Sequence, residues 1–581
     1  MITINDHHTK RLFDPWAYLG PKRRKLLEKS WAGLFREHLF NKIPVNKIVC
    51  YFDKYMGRPT KELFTAIGAV ILQQVHDLSD EETITSVAFN TQWHYSLDIT
   101  GESDEAKYLC EKTLRSFRKI IIKNNLEGYI FEDMTDKLLG VFNVDTSIQR
   151  LDSGHIFSNM RDLRRLEIFT NTIEKFLRKM KNTYKNLLDT LIDPELKDRY
   201  LSKKSSGCFA KVKPSKASKT LQQAGEDLLY LVELFSTNRE VKKLHAYRLL
   251  KRVLSEQCNL TGKGKNKKLQ IKQAKEVSAD SLQNPSDPDA TYDGHKGKGY
   301  QVQIMETYQP YGEGEKRDKS KPNLITHVSV EQAHEHDSNA LQPALDNTKS
   351  RGCCPEEVQC DTAYGSDENV QEAKEKGVDV IAPVCGPSES PATKMKDFEF
   401  DETTKLIKCC PEGHKPIKVK RTKSNRMTAR FSKKHCRVCK HLENCPVTVL
   451  KKGDYSLRYN EKHYRLAKRR TFEDTPEFLD KYRWRAGAEG TQSHYKNDLG
   501  AGRLRVRGMA QVRFAATLKA LGLNILRAAK AYRYDYNLLF ELFFGHLLFQ
   551  MACEKKSGLD NNLNNPFYLI LCQRTIIGNN L

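Results

Sequence analysis

Tyr482-Arg483-Trp484-Arg485-Ala486-Gly487-Ala488-Glu489, continued by Gly490-Thr491-Gln492-Ser493-His494-Tyr495-Lys496, gathers an acid, several cations and two glycines in one segment. Thr475 can cap a helix start, Pro476 suits its first position and Glu477 suits the positive end of its dipole, while Gly500 and Gly502 lie just past the far end. Together they predict a helix over about 476–499. At roughly 100° per residue, Tyr482, Arg485, Glu489 and Lys496 fall within an arc of about 60°, so one carboxylate shares a face with two cations and a phenol. Ordinary ion pairs on a solvated helix surface would account for those charges. They would not account for Gly487 and Gly490, each of which costs roughly 1 kcal/mol in a helix interior. Close backbone approach would explain both glycines, and the charged face suits a phosphate ester beside a metal ion.

Working outward, the whole chain has 581 residues, enough for three or more structural units. Lys and Arg number 97 against 73 Asp and Glu, a formal net charge of +24, which points to a polyanionic partner and first to nucleic acid. The start Met1–His8 shows neither signal peptide nor lipid anchor, and the apolar stretch Leu538–Met551 is too short to span a bilayer. A soluble cytoplasmic protein without membrane contact is expected. The 15 Cys are an odd number in a large chain without an export signal, which argues against a disulfide framework.

N-terminal to the helix, residues from about 20 to 130 carry a helical pattern, with Leu63, Ile67, Val70, Ile71 and Gln74 on one face and a capping box at Ser79–Glu82. The β-favouring run Val141–Val144 and then Ile148–Met160 predict a strand that delivers Asp152 to its end, with Asp145 as a competitor for any chemical role. A helical, basic stretch follows to about 280 and ends in the charge run Gly262–Lys268. Asp293-Gly294 predicts a hairpin turn before the strand Tyr300–Ile304. The glycine-rich segment Gly294–Gly299 lacks the spacing of a nucleotide-binding loop. Val358–Ser366, the helix around Glu368–Lys376 and Val378–Ile381 predict a strand-helix-strand unit with Asp361 at the carboxyl end of its first strand, where open α/β sheets place ligands.

Cys410, Cys436, Cys439 and Cys445 supply soft ligands at spacings suited to a tetrahedral structural Zn²⁺, with Cys409 or His414 able to replace one of them. Free buried thiols are the simpler alternative. Beyond the opening helix, Arg503, Arg505 and Arg507 alternate, so in an extended segment three guanidinium groups would point one way, suited to phosphate contact. A packing helix from about Met509 to Lys530 follows, and the tail after about 536 shows no chemistry.

The order Tyr482, two residues, Arg485, three residues, Glu489, six residues, Lys496 resembles the Tyr-Arg-Glu-Lys signature of bacterial insertion-sequence transposases of the DDE class. Leu151-Asp152-Ser153-Gly154-His155 is similar to the first catalytic-Asp motif of that family, which more often reads Asp-Ser-Thr-His, and Asp361-Thr362-Ala363-Tyr364-Gly365-Ser366 is similar to its second. The resemblance implies an α/β fold with a ribonuclease-H-like mixed sheet core and assigns the catalytic role to Asp152 rather than Asp145. On that basis the chain divides into a helical N-terminal DNA-binding domain (1–135), a first core strand (136–160) and a basic helical insertion (161–283). The remaining core (284–400), a zinc-ribbon-like insertion (401–455), the catalytic and packing helices (456–535) and a tail (536–581) complete it.

By the same resemblance, Asp152, Asp361 and Glu489 hold two Mg²⁺ or Mn²⁺ ions about 4 Å apart for in-line phosphoryl transfer. Tyr482, Arg485 and Lys496 contact the terminal phosphates of a DNA end, while Trp484 faces away and packs. The expected partners are the terminal inverted repeats of the element and target DNA, bound by a homodimer in a paired-end complex, in a bacterial, nucleoid-associated setting. A catalytically silent DNA-binding derivative is the alternative. A tyrosine recombinase is disfavoured, because His463-Tyr464-Arg465-Leu466 lacks the arginine that class requires.

Overall fold

A six-stranded mixed sheet brings together segments that lie hundreds of residues apart. The computed structural model describes residues 2–7, 9, 11–53, 56, 59–201, 214–262, 267–312, 314–386, 393–422 and 425–556. Five of the strands are β1 (Ile148–Phe157), β2 (Gly297–Thr307), β3 (Ile325–Gln332), β4 (Glu357–Cys360) and β5 (Asp379–Ile381). Across the sheet they run β3-β2-β1-β4-β5. β2 is antiparallel to both β1 and β3, whereas β4 is parallel to β1 and β5 parallel to β4. The sixth strand, Thr291–Asp293, pairs with the first residues of β2 across the expected turn. Parallel strands need a crossover, and the helix Asp367–Glu375, capped by Ser366, supplies it between β4 and β5.

β2 is buried over nearly its whole length, as a strand flanked on both edges and covered by helices requires. One cover is the long helix Met509–Lys556. Its Asn524 accepts a bond from the Ile325 N–H at 2.7 Å and donates to the Ile325 carbonyl at 2.8 Å, fixing the helix to the start of β3. Lys519–Asp77 at 2.7 Å and Arg513–Glu127 at 2.7 Å tie it to the N-terminal helices.

The helix Leu63–Val75 is buried on every side except at Gln74, not on a single face as its pattern suggested. It lies against the long helix, and Ile67, Val70 and Ile71 join one core with Val302 and Ile304 of β2 and Leu518 and Leu521. The helical unit is therefore continuous with the sheet's core. Ser79 and Glu82 form both hydrogen bonds of the capping box. Val141–Val144 is not a strand: the helix Glu127–Val141 runs through the expected boundary at 135 and ends only at Val141, and Asn143 turns the chain at φ 44°. Val141, Phe142 and Val144 bury into the helical core, which outweighs their β preference.

The insertion after β1 has its own core, in which Phe169 and Phe176 of the helix Arg165–Thr183 meet Leu228 and Leu231 of Pro214–Leu234 and Leu250 of His245–Gln257. A hairpin, Cys258–Thr261 with Lys268–Ile271, closes it; residues 263–266 of the charge run lie outside the described residues. The Cys-rich unit is a four-stranded antiparallel sheet, Lys418–Arg421, Met427–Phe431, Tyr455–Tyr459 and Thr448–Val449, over a core of Met427, Phe431, Leu457 and Tyr459. The long helix continues past the expected end near Lys530, so the boundary at 535 falls inside it, and residues 557–581 lie outside the description. Among the described residues no helix is long and apolar enough to cross a membrane.

Candidate active site

The acid-bearing segment is helical throughout but not one straight helix. Thr475 caps Pro476–Tyr482 by accepting from the Phe478 N–H at 3.2 Å, as its sequence predicts. A tight 3₁₀ stretch, Arg483–Ala486, then leads into Gly487–Ser493, and His494–Asp498 widens to π geometry. Such widened turns recur at functional sites, and here they re-aim the last residues of the segment, Lys496 among them. Gly500 ends it at φ 65°.

The two interior glycines have different reasons. A Cβ on Gly487 would stand 1.9 Å from the Arg150 guanidinium, so the expected close approach is real but is made by a side chain. A Cβ on Gly490 would meet nothing within 4 Å, so no close approach explains it. A third glycine has the reason expected of the first two. A Cβ on Gly154 would lie 2.1 Å from the Gln492 carboxamide, so Gly154 lets the acid-bearing helix settle on β1.

Register places the acids. Leu151 of β1 pairs with Cys360 of β4, which sets Asp152 and Asp361 side by side one residue further on. Asp152 is at the end of that parallel pairing but in the middle of β1, which continues to Phe157 against β2. Asp361 caps the short turn Thr362–Tyr364. Asp145 accepts from the Ser147 N–H at 2.8 Å in the turn before β1.

Arg485 joins the three acids. One guanidinium nitrogen is 3.4 Å from Asp152 and 3.8 Å from Asp361, and the other is 3.3 Å from Glu489. Burial pushes the Asp152 carboxyl above its ordinary value, and Arg485 pulls it back without cancelling the rise. Burial, then the charge of Lys296, lowers the half-buried Lys496 ammonium, while Asp152 opposes them. Tyr482 stacks on Phe478 at 5.4 Å and lies in the field of Asp361 and Asp152. Trp484 packs, as expected, between Tyr308 at 6.1 Å and Tyr311 at 4.8 Å.

Behind the acids lies a network that reading the sequence missed. Arg150 and Glu306 face each other across β1 and β2, 2.7 Å apart and almost wholly buried. Arg527 from the long helix reaches the other Glu306 oxygen at 2.7 Å, and Thr491 donates to the carboxylate at 2.8 Å. Arg150 also donates to the Trp484 carbonyl at 2.8 Å. Burial opposes ionisation of Glu306, but Arg527 and Arg150 outweigh it and hold the carboxyl below its usual range. The network therefore locks the acid-bearing helix to both the sheet and the long helix.

Leu504 is buried and half-buried Val506 follows, so the alternation of Arg503, Arg505 and Arg507 on the exposed side holds, although the segment is a loop and not a strand. Arg505 pairs with Asp77 at 3.1 Å and Arg507 donates to the Asn159 carbonyl, while all three arginines remain exposed. Cys410, Cys436, Cys439 and Cys445 line one cavity of about 500 Å³ together with His414, His435 and His441. Cys409 turns away and donates to Glu399 at 3.0 Å. Among the described residues, no group of three or more His, Cys, Asp or Glu side chains is arranged to hold a metal ion, at the thiols or at the acids.

Residues 409–529 match the family described as Transposase DDE domain, which supports a DDE-type transposase. The match spans the Cys-rich unit from its first thiols, the acid-bearing helix with Glu489 and the first part of the long helix, and leaves Asp152 and Asp361 outside it. No curated protein and no solved structure matches the chain.

Proposed function

We propose that the protein is a DNA transposase that cuts the ends of its insertion sequence and joins them to target DNA by metal-assisted phosphoryl transfer. The observation that carries this reading is the convergence of Asp152, Asp361 and Glu489 on one guanidinium. The strand order, three antiparallel strands followed by two parallel ones, supports a ribonuclease-H-like core. The three carboxylates are the hard oxygen donors that Mg²⁺ or Mn²⁺ prefers, and Arg485 marks where positive charge is already stabilised among them. Bound there, the metal would activate a water or a 3′-hydroxyl and steady the leaving oxygen.

The chain's own residues prepare that chemistry. Asp152 and Asp361 are fixed by strand register, and Glu489 is fixed by the buried Arg150–Glu306–Arg527 network. Arg485 belongs to the DNA-contacting set by resemblance, yet its charge is spent on the acids here. A terminal phosphate offers a bidentate partner to the same guanidinium, so DNA engagement would draw Arg485 away and free the acids. Tyr482 and Lys496 flank that position. The four thiols suit a structural Zn²⁺ once drawn together, and such a site would stabilise the small sheet beside the DNA path.

Cleavage of DNA carrying the element's ends, with Mg²⁺ or Mn²⁺, tests the reading. Loss of cleavage in Asp361→Ala and in Glu489→Ala is expected, and full activity in either variant would sink the assignment.

A further inference from the structure

On the other side of the acid-bearing helix lies a groove of about 1100 Å³, walled by Gly487, Gly490 and His494 of that helix, by Lys316, Arg317 and Lys319 of the β2–β3 loop, and by Lys530 and Arg533 of the long helix. Three features single it out. Its floor reaches Arg150 and Arg527, two guanidiniums whose one shared carboxylate is Glu306. Among the described residues, none of Lys316, Arg317, Lys319, Lys530 and Arg533 has a carboxylate at ion-pair distance, and the two acids of the lining are turned to local partners. Asp498 meets His494 at 2.6 Å, and Glu315 accepts from the Gly312 N–H at 2.9 Å.

The second feature is aromatic. Trp31, Tyr311 and Tyr534 lie among these cations, Tyr311 and Tyr534 being 43% and 44% exposed. Cations interleaved with aromatic rings fit a nucleic-acid strand whose phosphates and unstacked bases are both accessible. The third is Gly490, which core packing does not explain: its missing Cβ leaves the helix backbone bare along the groove. Uncompensated positive charge of this density calls for an anion, and the groove's wall includes Gly490, the residue that follows Glu489.

We propose that this groove binds an unpaired DNA strand, through its phosphates at Lys316, Lys319 and Arg533 and through base stacking on Tyr534, next to the site where strands are cut. The inference rests on the DNA-transposase reading and extends it to a second surface.

Full-length protein titrated against a labelled single strand of about 20 nucleotides and its duplex, over a range of salt, tests it. In the triple variant Lys316→Ala, Lys319→Ala, Arg533→Ala the single strand should bind roughly tenfold more weakly, with the log–log salt slope shallower by about 2, the sum of about 0.7 per lost phosphate contact. Gly490→Glu, which adds a carboxylate to the groove and improves helix propensity, should weaken single-strand binding without lowering the melting temperature. An unchanged slope and affinity in both variants overturns the groove. An equal loss on the duplex overturns its assignment to an unpaired strand. Wild-type protein that binds neither form of DNA overturns the transposase reading itself, which keeps the two failures apart.

Discussion

The acid site and the Cys-rich unit are built on opposite plans. The thiols of Cys410, Cys436, Cys439 and Cys445 come from one short span folded around its own small core, so local spacing suffices to bring them to one cavity. The acids lie 209 and 128 residues apart (361 − 152 and 489 − 361), and only sheet register and a buried ion network bring them together. A local site can be lost without the fold, whereas the distributed site shares its supports with the core of the whole protein.

Breaking the distributed site should have the largest effect. Asp361→Ala or Glu489→Ala is expected to lower cleavage by roughly a thousandfold or more with little change in melting temperature, since both side chains are on the surface of the site. Next comes its support. Glu306→Ala leaves the buried Arg150 and the half-buried Arg527 without a counter-charge, and should cost about 3–5 kcal/mol in denaturant unfolding. Replacing both Cys436 and Cys439 with Ser should instead remove bound zinc, read by metal analysis, and loosen only the small sheet, read by hydrogen exchange, with the main unfolding transition kept. Zinc retained after the double replacement would end the structural-metal reading.

The glycines give a smaller test of the same contrast. Gly487→Ala must displace the Arg150 guanidinium and should destabilise by about 1–3 kcal/mol, whereas Gly490→Ala meets open space and should stabilise by roughly 0.5–1 kcal/mol. The smallest effect is on pH dependence. The Asp152 carboxyl titrates above its unfolded value, so between the two values the folded state holds a proton that the unfolded state has lost. Stability therefore falls as pH rises through that window, and Asp152→Asn should flatten this part of a melting-temperature profile. Arg485→Gln removes the charge that restrains the rise and should extend the window upward.

Much of the site was legible from residues alone. Thr475 as cap, the Asp293-Gly294 turn, the strand-helix-strand unit that ends its first strand at Asp361 and the packing role of Trp484 all follow local rules, and the structure keeps them. The straight helical wheel through Lys496 did not survive, because the segment tightens at Arg483–Ala486 and widens at His494–Asp498. Arg150 and Glu306 could have been suspected. Each is a charge within a strand, next to an apolar residue, Leu151 or Met305, and a buried charge needs a partner.

Where most strands and helices fall around the candidate residues, and a net charge of +24, follow from the amino-acid sequence alone, because propensity, capping and net charge are local or additive. The folded chain places Asp152, the acid the resemblance singles out, beside Asp361, gives Arg505 and Arg507 partners at Asp77 and the Asn159 carbonyl, and lets Arg485 gather the three acids. Those outcomes depend on register between distant strands and on which buried charges must find each other, and neither is written in any one stretch of the chain.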